Sequence, residues 1–271
     1  MGKRGRVSAS RRWLAVVAVA GCVGLVLPPS SAGAFTGEYT ELRGRDVPAF
    51  YVSIVARPPQ GDSWRCSGVL TTMRTVVTAA HCLTGPGDGV VPLEGVVFSV
   101  FRGVAGPAVA SVEGYEPAVL SEPNRENFDD SADVGRLFLR TELPGGRPLR
   151  VMRSRLRTDV LEKEVRMYGT GLTPTGRARA VNRLEAHTYE RSPRRRLTYQ
   201  AVHDRPRLAR ACGGDSGGPV VLVERGEDVL AGIIVSGLRK DCVAQPTEGR
   251  TTVGVVSWGV YKAALVEQPR D

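Results

Sequence analysis

The chain has 271 residues, of which 42% are hydrophobic and 24% charged, with 32 Gly, 18 Pro and five Cys. That mix can bury the core of one large or two small domains, and it excludes a disordered tail, a collagen-like repeat and a disulfide-dense miniprotein. Lys and Arg total 37 against 28 Asp and Glu, a formal charge of +9.

Part of that charge is concentrated at the start. Residues 1–34 hold Lys3, Arg4, Arg6, Arg11 and Arg12 and no acid, followed by an apolar run over 13–27 and then Ala32-Gly33-Ala34. A basic start, a short apolar stretch and an A-x-A end predict a secretory signal, cut after Ala34. The mature protein is then 35–271, expected outside the cell. The apolar run has 15 residues, short of the roughly 20 that a membrane span needs, so no span is expected once the signal is gone. Ser10-Arg11-Arg12-Trp13-Leu14 faintly resembles a twin-arginine signal, and Val19-Ala20-Gly21-Cys22 a lipoprotein box. The apolar run continues past Cys22, which argues against lipidation there. Removing the five basic residues leaves 32 against 28, a mild excess that demands no nucleic-acid partner. Arginines gather at Arg191-Ser192-Pro193-Arg194-Arg195-Arg196 and at Arg205, Arg207 and Arg210. Such runs read as solvated loops, with an anion-binding surface as the alternative.

Along the mature chain, short β-rich runs dominate: 50–56, 68–70, 76–78, 96–101, 134–139, 165–168, 219–223, 229–236 and 251–256. Gly/Pro turns separate them, which predicts an all-β barrel or sandwich. The one good helical candidate is 260–266. Residues 103–130 and 170–196 read as irregular surface loops. Four cysteines remain after signal removal: Cys66, Cys82, Cys212 and Cys242. An even number in an exported chain predicts two disulfides, and spacing does not choose among the three pairings. There is no C-x-x-C pair or H-x-x-x-H spacing, so no metal site is expected.

Three segments carry chemistry. In Thr78-Ala79-Ala80-His81-Cys82, a histidine ends a Val-rich strand beside a cysteine expected in a disulfide, held in place as a general base must be. In Asp133-Val134-Gly135-Arg136-Leu137-Phe138-Leu139, an acid abuts an apolar strand; Asp133 is preferred to Asp129 and Asp130 for that reason. In Cys212-Gly213-Gly214-Asp215-Ser216-Gly217-Gly218-Pro219, glycines around a serine let backbone N–H groups converge and leave the hydroxyl unobstructed. His187 and His203 lack such a context and read as structural or surface residues.

In this order the three segments resemble the trypsin/chymotrypsin-like serine proteases, over most of the mature chain. The resemblance implies two six-stranded antiparallel β-barrels with the active site in the cleft between them, and a short C-terminal helix. It implies His81 as general base, Asp133 as its orienting acid and Ser216 as nucleophile, with the N–H groups of Gly214 and Ser216 as the oxyanion hole. The chain order His, Asp, Ser fits this family and not the α/β-hydrolases. The family's pairing would join Cys66 to Cys82 and Cys212 to Cys242. Ser236 matches the serine whose strand pairs with substrate backbone, and Gly249 a glycine of the pocket wall. The freed N-terminus, Phe35-Thr36-Gly37, would fold inward to pair with Asp215, so that export alone yields the active form.

The pocket departs from the family pattern. Arg210 stands at the floor position, where trypsins carry Asp, and a buried guanidinium needs an anionic partner. That partner is a substrate Glu or Asp, or an internal acid such as Asp241; the other alternative is Arg210 turned toward solvent. Ser236-Gly237-Leu238 replaces Ser-Trp-Gly and narrows the substrate range. The expected molecule is a monomeric endopeptidase acting on protein or peptide, without cofactor. Its competitor is a catalytically weak or inactive homologue that binds a protein through the cleft.

Overall fold

The computed structural model describes residues 39–84, 95–104, 108, 110–116, 133–152, 162–173, 176–177, 180–189, 198–202, 211–236 and 250–255. A short strand, β1 (Thr40–Leu42), leads into β2 (Tyr51–Arg57), β3 (Trp64–Thr72) and β4 (Thr75–Ala79). A single helical turn, α1 (His81–Thr84), follows β4 at once. Next come β5 (Val97–Phe101), β6 (Ala110–Glu116) and β7 (Val134–Leu139). These strands pair in the order β2-β3-β4-β7-β6-β5, and β5 returns to β2 to close a barrel.

The second half holds β8 (Arg150–Val151), β9 (Glu164–Gly169), β10 (Leu172–Thr173), β11 (Gly176–Arg177), β12 (Val181–Tyr189) and β13 (Thr198–Val202). It ends with β14 (Pro219–Glu224), β15 (Glu227–Ser236) and β16 (Arg250–Val255). Pairing runs β1-β12-β13-β16-β15-β14-β9, β9 also pairs β12, and β8 lies parallel to β15. Strands β10 and β11 form a small hairpin of their own. The protein is thus mostly β-strand in two main sheets, and α1 is the one α-helix among the described residues. No described helix is long and apolar enough to cross a membrane.

Period-2 alternation decides what each strand buries. In β2 the side chains of Val52, Ile54 and Ala56 enter the barrel core with Val76, Val100, Leu137 and Leu139. A second cluster of Met152, Val165, Met167, Leu184, Val220 and Ile234 fills the other sheet. Each such aliphatic side chain contributes about 1.5–3 kcal/mol when fully buried. The turn between β14 and β15 is Arg225-Gly226, both at positive φ (55° and 83°), the two-residue turn that matches strand twist.

All nine runs expected as strands fold as strands. The two stretches read as irregular loops need correction: 103–130 contains β6, and 170–196 contains β10, β11 and β12. The reason is visible in β12. Val181 at its start is buried, but along the face of Asn182, Leu184 and Ala186 only one bulky apolar side chain marks the inward side. The strand is specified by its neighbours, pairing with β9, β13 and β1. The helix expected at 260–266 lies outside the described residues.

Candidate active site

Strand ends position the first two groups. Strand β4 pairs with β7 so that Ala79 faces Val134, which brings the residues just beyond them, His81 and Asp133, side by side. The Asp133 carbonyl accepts the Ala80 N–H at 3.0 Å. One carboxylate oxygen of Asp133 accepts the His81 backbone N–H at 2.9 Å, and the other lies 2.6 Å from His81 Nδ1. Two bonds to one residue fix both the carboxylate plane and the imidazole orientation. Asp133 adopts φ +32°, a left-handed conformation that Asp tolerates better than most side chains do. Its side chain is 26% exposed and that of His81 40%, so the pair is shielded on one side and open on the other.

A disulfide joins Cys66 on β3 to Cys82 on α1, with a Cα–Cα distance of 6.1 Å. The Trp64 indole N–H donates to the Cys82 carbonyl at 2.8 Å. The turn that bears His81 is therefore tied covalently and by hydrogen bond to the neighbouring strand.

The third group sits on the loop ahead of β14. Asp215 is fully buried, and its carboxylate accepts the Gly171 and Cys212 N–H groups, each at 2.8 Å. The Asp215 carbonyl accepts the Gly218 N–H at 2.8 Å, and Gly217 donates to the Ile234 carbonyl at 2.6 Å. The Ser216 carbonyl accepts the Ser67 N–H at 2.8 Å. Glycine is required twice by geometry. Gly217 has φ +80°, and a Cβ there would collide with Thr78 and the Ser67 carbonyl; Gly214 has φ +100°, and its Cβ would lie 2.9 Å from Gly171 Cα.

His81, Gly214 and Ser216 line one cavity of 310 Å³. Trp64, Thr170 and Gly171 line it too, none of which stood out in the sequence. Their signal was positional only: Trp64 sits two residues before Cys66, and Thr170-Gly171 directly follows the apolar strand β9. Among the described residues no hydrogen bond joins the Ser216 hydroxyl to the His81 ring. Such contacts commonly tighten only when substrate enters.

Arg210, Gly237, Leu238, Asp241, Cys242, Gly249 and the segment Phe35-Thr36-Gly37 lie outside the described residues, as does the Arg191–Arg196 run. Cys212 is described and buried, but its expected partner is not described. The backbone of Ser236 ends β15 and pairs with Thr252 of β16. His187 lies in β12, its backbone opposite Val202 of β13 and Glu164 of β9. Cys66, His81 and Cys82 are close enough to suggest metal ligation. Their two sulfurs are consumed by the disulfide, so the cluster offers no thiolate.

A protein-family model described as Trypsin matches residues 52–269. No curated protein matches the chain significantly.

Proposed function

The chain belongs to the trypsin family, and on that premise we propose that it is an exported serine endopeptidase using His81, Asp133 and Ser216 through an acyl-enzyme. The observation that carries this is the 2.6 Å contact between His81 Nδ1 and Asp133 on the wall of the cavity that Ser216 also lines. With Nδ1 engaged by the carboxylate, Nε2 is the ring nitrogen left to accept a proton. The two sheets are read as two six-stranded barrels, with this cavity in the cleft between them.

A serine hydroxyl is a poor nucleophile until a base takes its proton. His81 takes the Ser216 proton as Oγ attacks the scissile carbonyl, and Asp133 stabilises the resulting imidazolium. The carbonyl oxygen becomes an oxyanion facing the N–H groups of Gly214 and Ser216. The Asp215 carbonyl is turned to Gly218, which points the Ser216 N–H of the same peptide the opposite way. The imidazolium then gives its proton to the leaving amine, and a water, deprotonated by His81, releases the acyl group.

Specificity is proposed to rest on Arg210 as pocket floor, favouring Glu or Asp before the cut. Activation is proposed to follow signal removal, with the new amine of Phe35 reaching Asp215. Two strand pairings separate Glu41 from Gly169, where a Cβ would strike the Asp215 carboxylate. That is about 10 Å, and the five residues 35–39 span up to roughly 17 Å.

The test is labelling by a serine-reactive fluorophosphonate, followed by cleavage of a randomised peptide library. Wild type labels at Ser216 and cleaves, and Ser216→Ala does neither. A folded wild type that resists the probe overturns the enzyme reading in favour of a protein-binding homologue. Cleavage with no preference for acidic residues removes the role given to Arg210.

A further inference from the structure

The outward face of the β2–β3 pair carries an unusual row. Register sets Ser53 opposite Ser67 and Tyr51 opposite Val69, so Tyr51, Ser53 and Ser67 share the face opposite to Val52 and Ile54. Hydroxyls on an outward face ordinarily meet water. Here Tyr51 and Ser67 are completely buried and Ser53 nearly so.

Their bonds run to the nucleophile loop. Ser67 donates its N–H to the Ser216 carbonyl at 2.8 Å and its hydroxyl to the Gly214 carbonyl at 3.0 Å. The Tyr51 hydroxyl lies 2.7 Å from Ser67 Oγ and 3.0 Å from Thr170 Oγ1. Thr170 Oγ1 lies 3.2 Å from Ser53 Oγ, and Ser53 bonds the Gly103 carbonyl. A hydroxyl has one proton to give. The Ser67 proton goes to the Gly214 carbonyl, so the 2.7 Å bond draws on the single Tyr51 proton, which Tyr51 also directs at Thr170 Oγ1. Burial pushes the Tyr51 phenol well above its ordinary range, and the nearby Asp215 carboxylate adds to the shift. Tyr51 therefore keeps that proton at neutral pH.

Accounting for each peptide of the loop shows what this controls. The 214–215 unit is held by Ser67 and by the Asp215 N–H to Cys212, the 215–216 unit by Gly218, and the 216–217 unit by Ser67 and Ile234. Among the described residues the 213–214 unit makes no hydrogen bond, and it carries the Gly214 N–H between two glycines. Its freedom to turn over is limited on the C-terminal side by the Gly214 carbonyl, and Ser67 Oγ holds that carbonyl.

We infer that Ser67, backed by Tyr51, is a positioning residue that keeps the Gly214 N–H turned toward the developing oxyanion. This rests on the reading of Ser216 as nucleophile. The cost of losing it is smaller than the ~10²–10³ typical of deleting an oxyanion donor outright. The effect falls on the step that forms the tetrahedral centre.

The test uses the signal-processed full protein and saturation kinetics of fluorophosphonate labelling, which separate reversible binding from phosphonylation. Ser67→Ala slows phosphonylation about 10-fold with reversible binding unchanged, and Tyr51→Phe slows it by a smaller factor. The double variant is no slower than Ser67→Ala, because both act through one bond. Wild-type phosphonylation rates in both variants, or equal loss in binding and reaction, overturn the inference. Should Ser67→Ala fail to fold, Tyr51→Phe decides alone. A wild type that does not label at Ser216 is a different failure: it removes the enzyme reading and this inference with it.

Discussion

His81 and Asp133 stand at the ends of two paired strands of the first barrel, whereas Ser216 stands on a loop of the second sheet. The first pair is held by side chains and a covalent tie: the Asp133 carboxylate grips the imidazole and the disulfide anchors the turn beside it. The serine loop is held almost wholly by backbone hydrogen bonds gathered round one buried carboxylate, with glycines where any Cβ would collide. The difference fits the chemistry proposed for each side. A base needs one ring aimed in one direction, which side chains can enforce. An oxyanion site needs several main-chain N–H groups aimed together, which only a constrained backbone can supply.

The comparison is broken most severely by altering the acid. Asp133→Asn keeps the size of the side chain but presents an amide to the imidazole and favours the wrong tautomer. A fall of about 10⁴ in kcat is expected with the fold intact; wild-type turnover would show that Asp133 does not orient the base. Next is Asp215→Ala, which strands at least two buried N–H groups, those of Gly171 and Cys212. Each costs about 1–3 kcal/mol. Denaturant melting is expected to show the sum of these costs, and probe labelling to fail even where the fold survives. Normal labelling would mean that the carboxylate does not organise the loop. Replacing Cys66 and Cys82 together by Ser is expected to cost about 3 kcal/mol, the value for a closed loop of this length. Its residual activity, measured well below the melting temperature, stays close to wild type, since hydrogen bonds still hold His81.

What could be read from the sequence divides along the same line. Where chemistry needs a particular side chain, the letter shows it: His81, Asp133 and the Gly-framed Ser216 stand out in their segments, and the pairing of Cys66 with Cys82 followed from the resemblance. Where the backbone does the holding, the letter is nearly silent. Nothing in the sequence marks Ser67 or Tyr51, because nothing local says that a loop some 150 residues away will cover them. Strand β12 was missed for a related reason, its inward face being marked by Asn182 and Ala186 as much as by Leu184. Long-range pairing, not local pattern, defines it.

The smallest effect concerns the polar seam beneath the nucleophile loop and appears only at high pH. Burial raises the Tyr51 phenol above its ordinary value of 10.0, and Tyr168 moves in the same direction, mainly through burial. The folded state therefore prefers the protonated phenol, whereas the unfolded chain gives up that proton near pH 10. The stability associated with this preference is fully present below about pH 10 and is lost as pH climbs from there toward the raised folded value. Each such group can contribute a slope of at most about 1.4 kcal/mol per pH unit. Tyr51→Phe removes one of them while leaving Tyr168. Melts of both proteins between pH 8 and pH 11 (about the range set by a phenol that titrates near 10) are expected to show the variant less stable at the low end, where it lacks the hydrogen bonds to Ser67 and Thr170. The gap narrows at the high end, because only the wild type still carries the full alkaline penalty. Parallel curves across the range would place the Tyr51 hydroxyl in contact with water, and the row it shares with Ser67 would no longer be a sealed connection to the loop.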